Sequence, residues 1–540
     1  MVTTLEARGG DLAIVGARLR TNTADHADAT AILARDGRIE LIGSDEEVRA
    51  AAAAAGVAVR DLDGATVTPG LFDGHTHPVW AAEVTAGVNL GGLETVAEIC
   101  AALAAEAERV PADRWVRGWN LEYEPFDETG MLASLIEEAV GGRPTALMCY
   151  DMHTALVTRA ALEAAGVSGA QHFEDASEIV VDAEGVPTGE LREPSAYQFV
   201  LAAAPVLSAE ETLEANREML ERLAAVGLTG GAIMDGNEGT IEVLAELEAR
   251  GQLIQRFTVH HWHTVDTDDA EVARIIAGKD RAGRLWQAGA IKLFSDGVVD
   301  TGTAWLHTVD ACGDGRAGFW PDWNRYVEVV RAYHDAGMLI ATHAVGDYAV
   351  SQVLDVYAEL PERDGLPFHS IEHLEVLADS DLEQLRDSGV TASMQPLHMQ
   401  WRAADGSDNW TVRLGEGRDA TGYRARSVLD VGATLVLGSD WPVAQYDPRL
   451  GMAWARGRHT PGDPNARVFE PGERLSGEEA LLAYTLWPAK ARGHADRGAL
   501  APGMVADLTV WAADPVLTEA DALPELAIVA TVVDGKVVFG

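Results

Sequence analysis

The chain has 540 residues, 47% hydrophobic and 23% charged, with a formal net charge of −44. Such a composition builds a sizeable folded core and excludes a disordered chain, and the length suits roughly two to four domains. A surface this acidic repels phosphate backbones and anionic headgroups, so neither nucleic acid nor a membrane is an expected partner.

The three cysteines, Cys100, Cys149 and Cys312, lack metal-ligand spacing and are too few for a disulfide framework. The N-terminal stretch has no basic start followed by an apolar run, and no window approaches about 18 uninterrupted apolar residues. The expectation is a soluble cytoplasmic protein, with a homodimer compatible. Lysine is scarce: Lys279, Lys292, Lys490 and Lys536 are the four in the chain, and Lys292 alone sits in an apolar run, AGAIKLF.

In chain order, DLAIVGARLRT, TAILARDGRIELIG and VAVRDLDGATVTPG read as short strands joined by RDGR and DLDG turns. The C-terminal VADLTVWAAD and IVATVVDGKVVFG repeat this character. Both ends together predict one small β-sandwich, residues 1–66 with 485–540. The middle alternates apolar strands ending in polar residues with helical stretches such as TIEVLAELEARG and YVEVVRAYHDAG, the pattern of a parallel α/β sheet. Eight strand candidates predict an α/β class (β/α)8 TIM barrel over 67–484, with one unit taking roughly 31 residues.

The spacing supports this. Strand ends near Asp235, His263 and Lys292 are 28 and 29 residues apart, and His343 to His373 is 30. The steps Lys292 to His343 (51) and His373 to Asp440 (67) hold one unit with an insertion and two units respectively. His77 to Asp235 is 158 residues, which leaves an inserted lid subdomain at 80–205 after strand one. Such an insertion is a usual seat of substrate specificity.

Barrel chemistry comes from the C-terminal ends of strands. His75 and His77, spaced i and i+2 in VTPGLFDGHTHPVW, point to one side of strand one and reach one metal. Lys292 lies in strand four, His343 in strand five (IATHAVGD), His373 in strand six (SIEHLE) and Asp440 in strand eight (LVLGSDWP). Each alone has a bland alternative: a hydrogen-bonding strand-end histidine, a helix-capping aspartate, a snorkelling lysine. Six in order at unit spacing point to a site for zinc or a similar divalent ion. In HHWH, His261 and His263 share a face of strand three as neighbours of substrate or ligands, or as plain strand-end polar residues. His26, His172, His334 and His494 read as surface or core filler.

TPGLFDGHTH, AIKLFSDGVVDTGTA, THAVGD, IEHLE, GSDWPV and GALAPGMVADLTVWAADP resemble the motifs of the amidohydrolase superfamily, specifically the amidohydrolase family 3 (YtcJ-like) group. The resemblance covers nearly the whole chain and is similar to that shown by N-substituted formamide deformylases. It implies that His75 and His77 hold one ion and His343 and His373 a second. A carboxylated Lys292 bridges them, and Asp440 adds a ligand or hydrogen bond and serves as general base, then acid. One ion with some groups idle is the variant of this scheme. Carboxylation needs a neutral amine, which burial favours. The family motifs RGWN and DMHTALV place Trp119 and His153 near a small-molecule substrate, and His398, after QP in strand seven, is a similar candidate. Trp80, Trp305, Trp401 and Trp441 fall near the expected mouth and favour an apolar substrate group, or simply fill core.

The implied activity is metal-dependent hydrolysis of a non-peptide C–N bond of amide or formamide type. The alternatives are a cyclic amide or ester substrate, a metal-dependent isomerase or lyase on the same barrel, and a non-catalytic metal-binding sensor.

Overall fold

The computed structural model describes residues 10–26, 28–150, 154–173, 177–363, 367–463 and 465–540. It divides into two compact units. One comprises the chain up to His77, Leu220–Trp441 and Gln445–Gly540; the other comprises Pro78–Met219 and Pro442–Ala444.

The first unit contains an eight-stranded parallel sheet: β1 (Leu71–Thr76), β2 (Leu228–Gly236), β3 (Arg256–Trp262), β4 (Trp286–Phe294), β5 (Leu339–Ala344), β6 (Ser370–His373), β7 (Thr391–Met394) and β8 (Thr434–Leu437). Neighbours in sequence are neighbours in the sheet. Helices α1 (Glu238–Ala249), α2 (Asp269–Ala277), α3 (Trp323–Asp335), α4 (Asp347–Ala358) and α5 (Asp379–Ser388) alternate with these strands. Several start on polar caps: the side chains of Asn237, Asp268 and Asp322 accept from backbone N–H groups of α1, α2 and α3. The strands are buried on both faces, which is why they read as apolar runs rather than as alternation. Phe72, Ala232, Met234 and Ala341 pack together as an interior layer.

The sheet closes through backbone bonds between the end of β1 and the segment after β8. Asp440 N donates to His75 O at 2.7 Å and His77 N to Trp441 O at 2.8 Å. Gly438 is required at this seam, because a Cβ there would lie 2.5 Å from His75 N. The fold is therefore an α/β TIM barrel.

Two further sheets in this unit share one apolar core that includes Leu12, Ile14, Ile32, Val67, Leu508, Val510 and Val532. The four-stranded sheet holds Leu12–Val15, Ala31–Arg35, Arg38–Gly43 and Val59–Asp61. In the five-stranded sheet, Thr66–Pro69 pairs antiparallel with Leu508–Trp511, so both ends of the chain meet. Gly70 alone separates that strand from β1.

The second unit has a six-stranded sheet running Glu178–Val181, Pro187–Arg192, Thr154–Val157, Thr145–Cys149, Val116–Leu121, Val88–Asn89. The helix Val96–Arg109 buries Ile99 and Leu103 against Val116, Leu147 and Leu156. A separate cluster of Met148, Val157, Leu162, Tyr197 and Val200 brings in the helices Arg159–Ala164 and Pro194–Leu201. Among the described residues no helix is long and apolar enough to cross a membrane.

Candidate metal centre

Parallel register sets which side chains enter the barrel. Lys292 pairs with Ala341 and Phe294 with His343; His343 pairs with Glu372. Residues paired in this way share a face, and alternate residues along a strand do so too. Ala341 belongs to the interior layer, so Lys292, His343 and Glu372 face inward.

Two ligand candidates leave regular strand geometry. His373 and Asp440 have φ of 78° and 60°, the left-handed region that costs a non-glycine residue roughly 1–3 kcal/mol. Leu374 follows at φ 46°, with its N–H shared between Ala344 O and Glu372 O. These turns let the chain bring His373 to the cluster although its neighbour Glu372 also faces inward.

Donor atoms of His75, His373 and Asp440, all buried, lie within 4.8 Å of one another. One divalent ion with bonds of roughly 2.0–2.2 Å spans such a group after small side-chain rotations. His75 Nε2 is 3.3 Å from Asp440 Oδ1 and 3.2 Å from Lys292 Nζ. His75 Nδ1–H donates to the buried Glu372 carboxylate at 2.7 Å, which leaves the Nε2 lone pair facing the cluster. Ser370 Oγ also donates to Glu372, at 2.5 Å. His77 Nε2 lies 2.9 Å from Asp440 Oδ1, and its Nδ1 3.3 Å from Asp235 Oδ1. His343 packs on His373 with ring centroids 4.4 Å apart, while its Nε2–H donates to Gly297 O at 2.9 Å.

The charge states suit a cation. Burial and the surrounding positive groups hold His75 and His373 well below the usual imidazole range, so both are neutral. Burial, with Lys292 nearby, lowers His343 to about 4. Burial alone would depress His77, but Asp235 and Asp440 outweigh it and raise it to about 9. Burial alone would raise Asp440; His75 and His77 outweigh it and hold the carboxyl well below its ordinary range. Burial lowers Lys292 to about 8, against the pull of Glu372, Asp440 and Asp235. The donor set fits a divalent metal site.

The structure therefore brings His75, His77, Lys292, His343, His373 and Asp440 to one end of the barrel. His398 joins them, 3.7 Å from Asp440 Oδ2 through Nε2 and stacked on His373 at 6.2 Å. Trp119 lies in the second unit, half-buried against that unit's sheet cluster, and His153 lies outside the described residues. The strand-three histidines His261 and His263 take the plainer of their two expected roles, away from the ligand group. His260 and Trp262 take the inner face, paired with Ala290 and Lys292. His261 turns outward to within 4.0 Å of Glu271 on α2, and His263 bonds Tyr333 on α3 at 2.9 Å. Trp305 packs on Trp323 and Tyr348, and Trp441 on Tyr446.

Supporting acids were not singled out from sequence. Asp73 accepts from His75 N, Ser439 N and Ser439 Oγ, tying β1 to the segment after β8; burial raises it to about 6 despite those bonds. Asp296 accepts from the backbone N–H groups of Trp305, Val345 and Gly346, and burial raises it to about 7. Each lies inside a quoted motif (FDGHTH, FSDG), so adjacency to a ligand was the available signal.

The model of the amidohydrolase family matches residues 58–539. The chain belongs to this family. It is 28% identical over 546 residues to the N-substituted formamide deformylase of Arthrobacter pascens, covering 97% of each chain. In fold, the amidohydrolase is similar to an uncharacterized metal-dependent hydrolase from Pyrococcus furiosus, with a TM-score of 0.74 and 24% identity over 94% of this chain and 100% of that one. It is also similar to the atrazine chlorohydrolase TrzN from Arthrobacter aurescens TC1 complexed with zinc, with a TM-score of 0.51 and 16% identity over 97% and 94%. Family membership and site together describe a metal-dependent hydrolase.

Proposed function

We propose that this amidohydrolase cleaves a non-peptide C–N bond of amide or formamide type in a small molecule, with zinc as the divalent ion. The observation that carries this reading is the buried group His75, His373 and Asp440, with the neutral-imidazole, ionised-carboxylate charge pattern of a ligand set. The near-full-length similarity to a formamide deformylase favours formamides within that class.

His75, His373 and Asp440 would hold the ion, with His77 and His343 beside them and Lys292, as a carbamate, the bridging ligand if two ions bind. Bound there, a divalent ion acidifies water and polarises a carbonyl. Asp440 would be the group to take a proton from water held there and to return it to the leaving nitrogen; the reading is supported by its burial in the ligand group, with Oδ1 2.9 Å from His77 Nε2. Glu372 holds His75 in the tautomer that presents Nε2. Lys292, 1% exposed, meets the requirement for carbamate formation, a burial-lowered amine.

The test is elemental analysis of the purified protein with an amine-release screen over N-substituted formamides, N-acyl amines, lactams and esters. Amine release that is abolished by chelation and restored by zinc is expected. Full metal occupancy without turnover of any amide, lactone or ester would overturn the reading.

A further inference from the structure

The segment that follows β7 carries buried polar atoms that the described residues leave without a hydrogen bond. Gln395 is 1% exposed, yet neither its Oε1 nor its Nε2 has a hydrogen-bonding partner among the described residues. His398, 6% exposed, leaves Nε2 without a hydrogen bond. Buried polar groups are normally paired, and an apolar side chain of the same shape would pack at position 395 without that cost.

The register says where Gln395 points. Ser393 pairs with Glu372 on β6 and with Val436 on β8, so it shares the inward face of the carboxylate that holds His75. Gln395 follows two residues later with φ −121° and ψ 80°, close enough to extended to keep that face. It therefore projects inward one step nearer the strand ends that carry His373 and Asp440. The next turn supplies His398, whose Nε2 is 3.7 Å from Asp440 Oδ2, and Trp401, 5.0 Å from the His398 ring. That register sets Gln395 on the same wall as His398, with Trp401 packed on His398, and none of the three belongs to the ligand group.

We propose that this wall is the substrate-recognition subsite and that Gln395 selects amides whose N–H and C=O lie on the same side. The inference rests on the amide-hydrolase reading above. A carboxamide offers one donor and one acceptor along a single edge. Its complement is an amide with both groups on one edge. Lactams are locked in that arrangement. N-alkylformamides reach it because only the formyl hydrogen opposes the N-substituent, whereas larger acyl groups disfavour it as in ordinary secondary amides. A tertiary amide has no N–H and leaves Gln395 Oε1 buried and unpaired, a situation that enzymes use to reject analogues. Trp401, 39% exposed, gives the N-substituent an apolar surface.

The experiment compares an N-alkylformamide with its N-methylated analogue in zinc-loaded wild type and Gln395→Leu, by kcat/KM and by calorimetric affinity. Wild type is expected to favour the N–H substrate by roughly 10- to 100-fold, and Gln395→Leu to bring the ratio within about threefold. Equal use of the two amides by wild type, or an unchanged ratio in Gln395→Leu, would overturn the subsite. A damaged fold lowers both substrates together and leaves the ratio alone; Gln395→Met, closer in shape, repeats the comparison if the leucine variant does not fold. Failure of every amide to react defeats the hydrolase reading, and the calorimetric ratio then decides the subsite by itself, equal or absent affinity overturning it.

Discussion

Glu372→Gln tests the metal centre through a residue that touches no substrate. Glu372 is fully buried, and its carboxylate accepts from His75 Nδ1 at 2.7 Å and from Ser370 Oγ at 2.5 Å. A carboxylate can only accept, so the proton is fixed on Nδ1 and the Nε2 lone pair faces the ligand cluster. Glutamine keeps the volume but replaces one acceptor with an NH2 donor. With that donor toward Ser370, the hydroxyl can turn and accept, and His75 keeps its tautomer but loses the negative charge that raises its basicity. With the donor toward His75, Nδ1 must accept and the proton moves to Nε2, blocking the ligand atom. Either orientation weakens metal binding. Losses at such supporting carboxylates are typically about 10- to 100-fold, or roughly 1.4–2.7 kcal/mol. The assay is zinc affinity by chelator competition, with circular dichroism as the check on folding. A folded Glu372→Gln protein with zinc affinity within about twofold of wild type would refute the placement of His75 Nε2 as a ligand atom.

Asp440→Asn is expected to lower turnover by about 10²- to 10⁴-fold; near-wild-type rates with metal intact would remove the proton-transfer role. Lys292→Ala should lose metal and activity, with partial rescue by a short carboxylic acid, and unchanged metal content would exclude a bridging carbamate. Carbamate formation consumes the neutral amine, and with Lys292 near 8 that form grows from about a tenth at pH 7 to about nine-tenths at pH 9. Reconstitution of apoprotein with zinc at a fixed concentration of dissolved CO2, the species the amine adds to, should therefore speed up as pH rises through 8, and this rise should be absent from Lys292→Ala; a flat profile in wild type would count against the carbamate.

The barrel was legible because parallel strands buried on both faces are continuous apolar runs, and because their C-terminal ends carry polar residues at unit spacing. His75, Lys292, His343, His373 and Asp440 were found that way. What alternation could not show is the backbone at His373 and Asp440. In a regular strand Glu372 and His373 face opposite sides, and a positive φ at a histidine has no sequence signature. Glu372 therefore passed unnoticed beside a residue that was singled out. HHWH shows the same limit from another side. A run of four polar or aromatic residues fits either parity, and only the pairing of Trp262 with Lys292 shows that His260, rather than His261 or His263, enters the barrel. Gln395 stands in the QP of strand seven, but its lack of a partner among the described residues is a property of the packed structure alone.

Closure of the barrel and assembly of the metal centre depend on the same bonds. Asp440 N to His75 O and His77 N to Trp441 O join the first strand to the segment after the last, and Asp73 fastens Ser439 to the same place. Three of the ligand candidates are thus positioned by the seam, and Asp440 is held there in a strained conformation. Gly438→Ala perturbs that seam without replacing a ligand residue. Its Cβ would meet His75 N at 2.5 Å and the His75 Cβ at 2.8 Å, both parts of a strand with no room to move independently. Relief requires the end of β8 to shift from β1, which stretches the Asp440–His75 backbone bond and displaces both donors. Overpacking of this kind costs typically 1–3 kcal/mol. If stability and ligand geometry are one device, Gly438→Ala lowers the melting temperature and the zinc affinity together, and saturating zinc recovers part of the lost stability by mass action. Thermal melts of apo and zinc-loaded forms measure both effects. A variant that loses stability but binds zinc like wild type would show that the seam and the centre are separable, and would remove the link drawn between them.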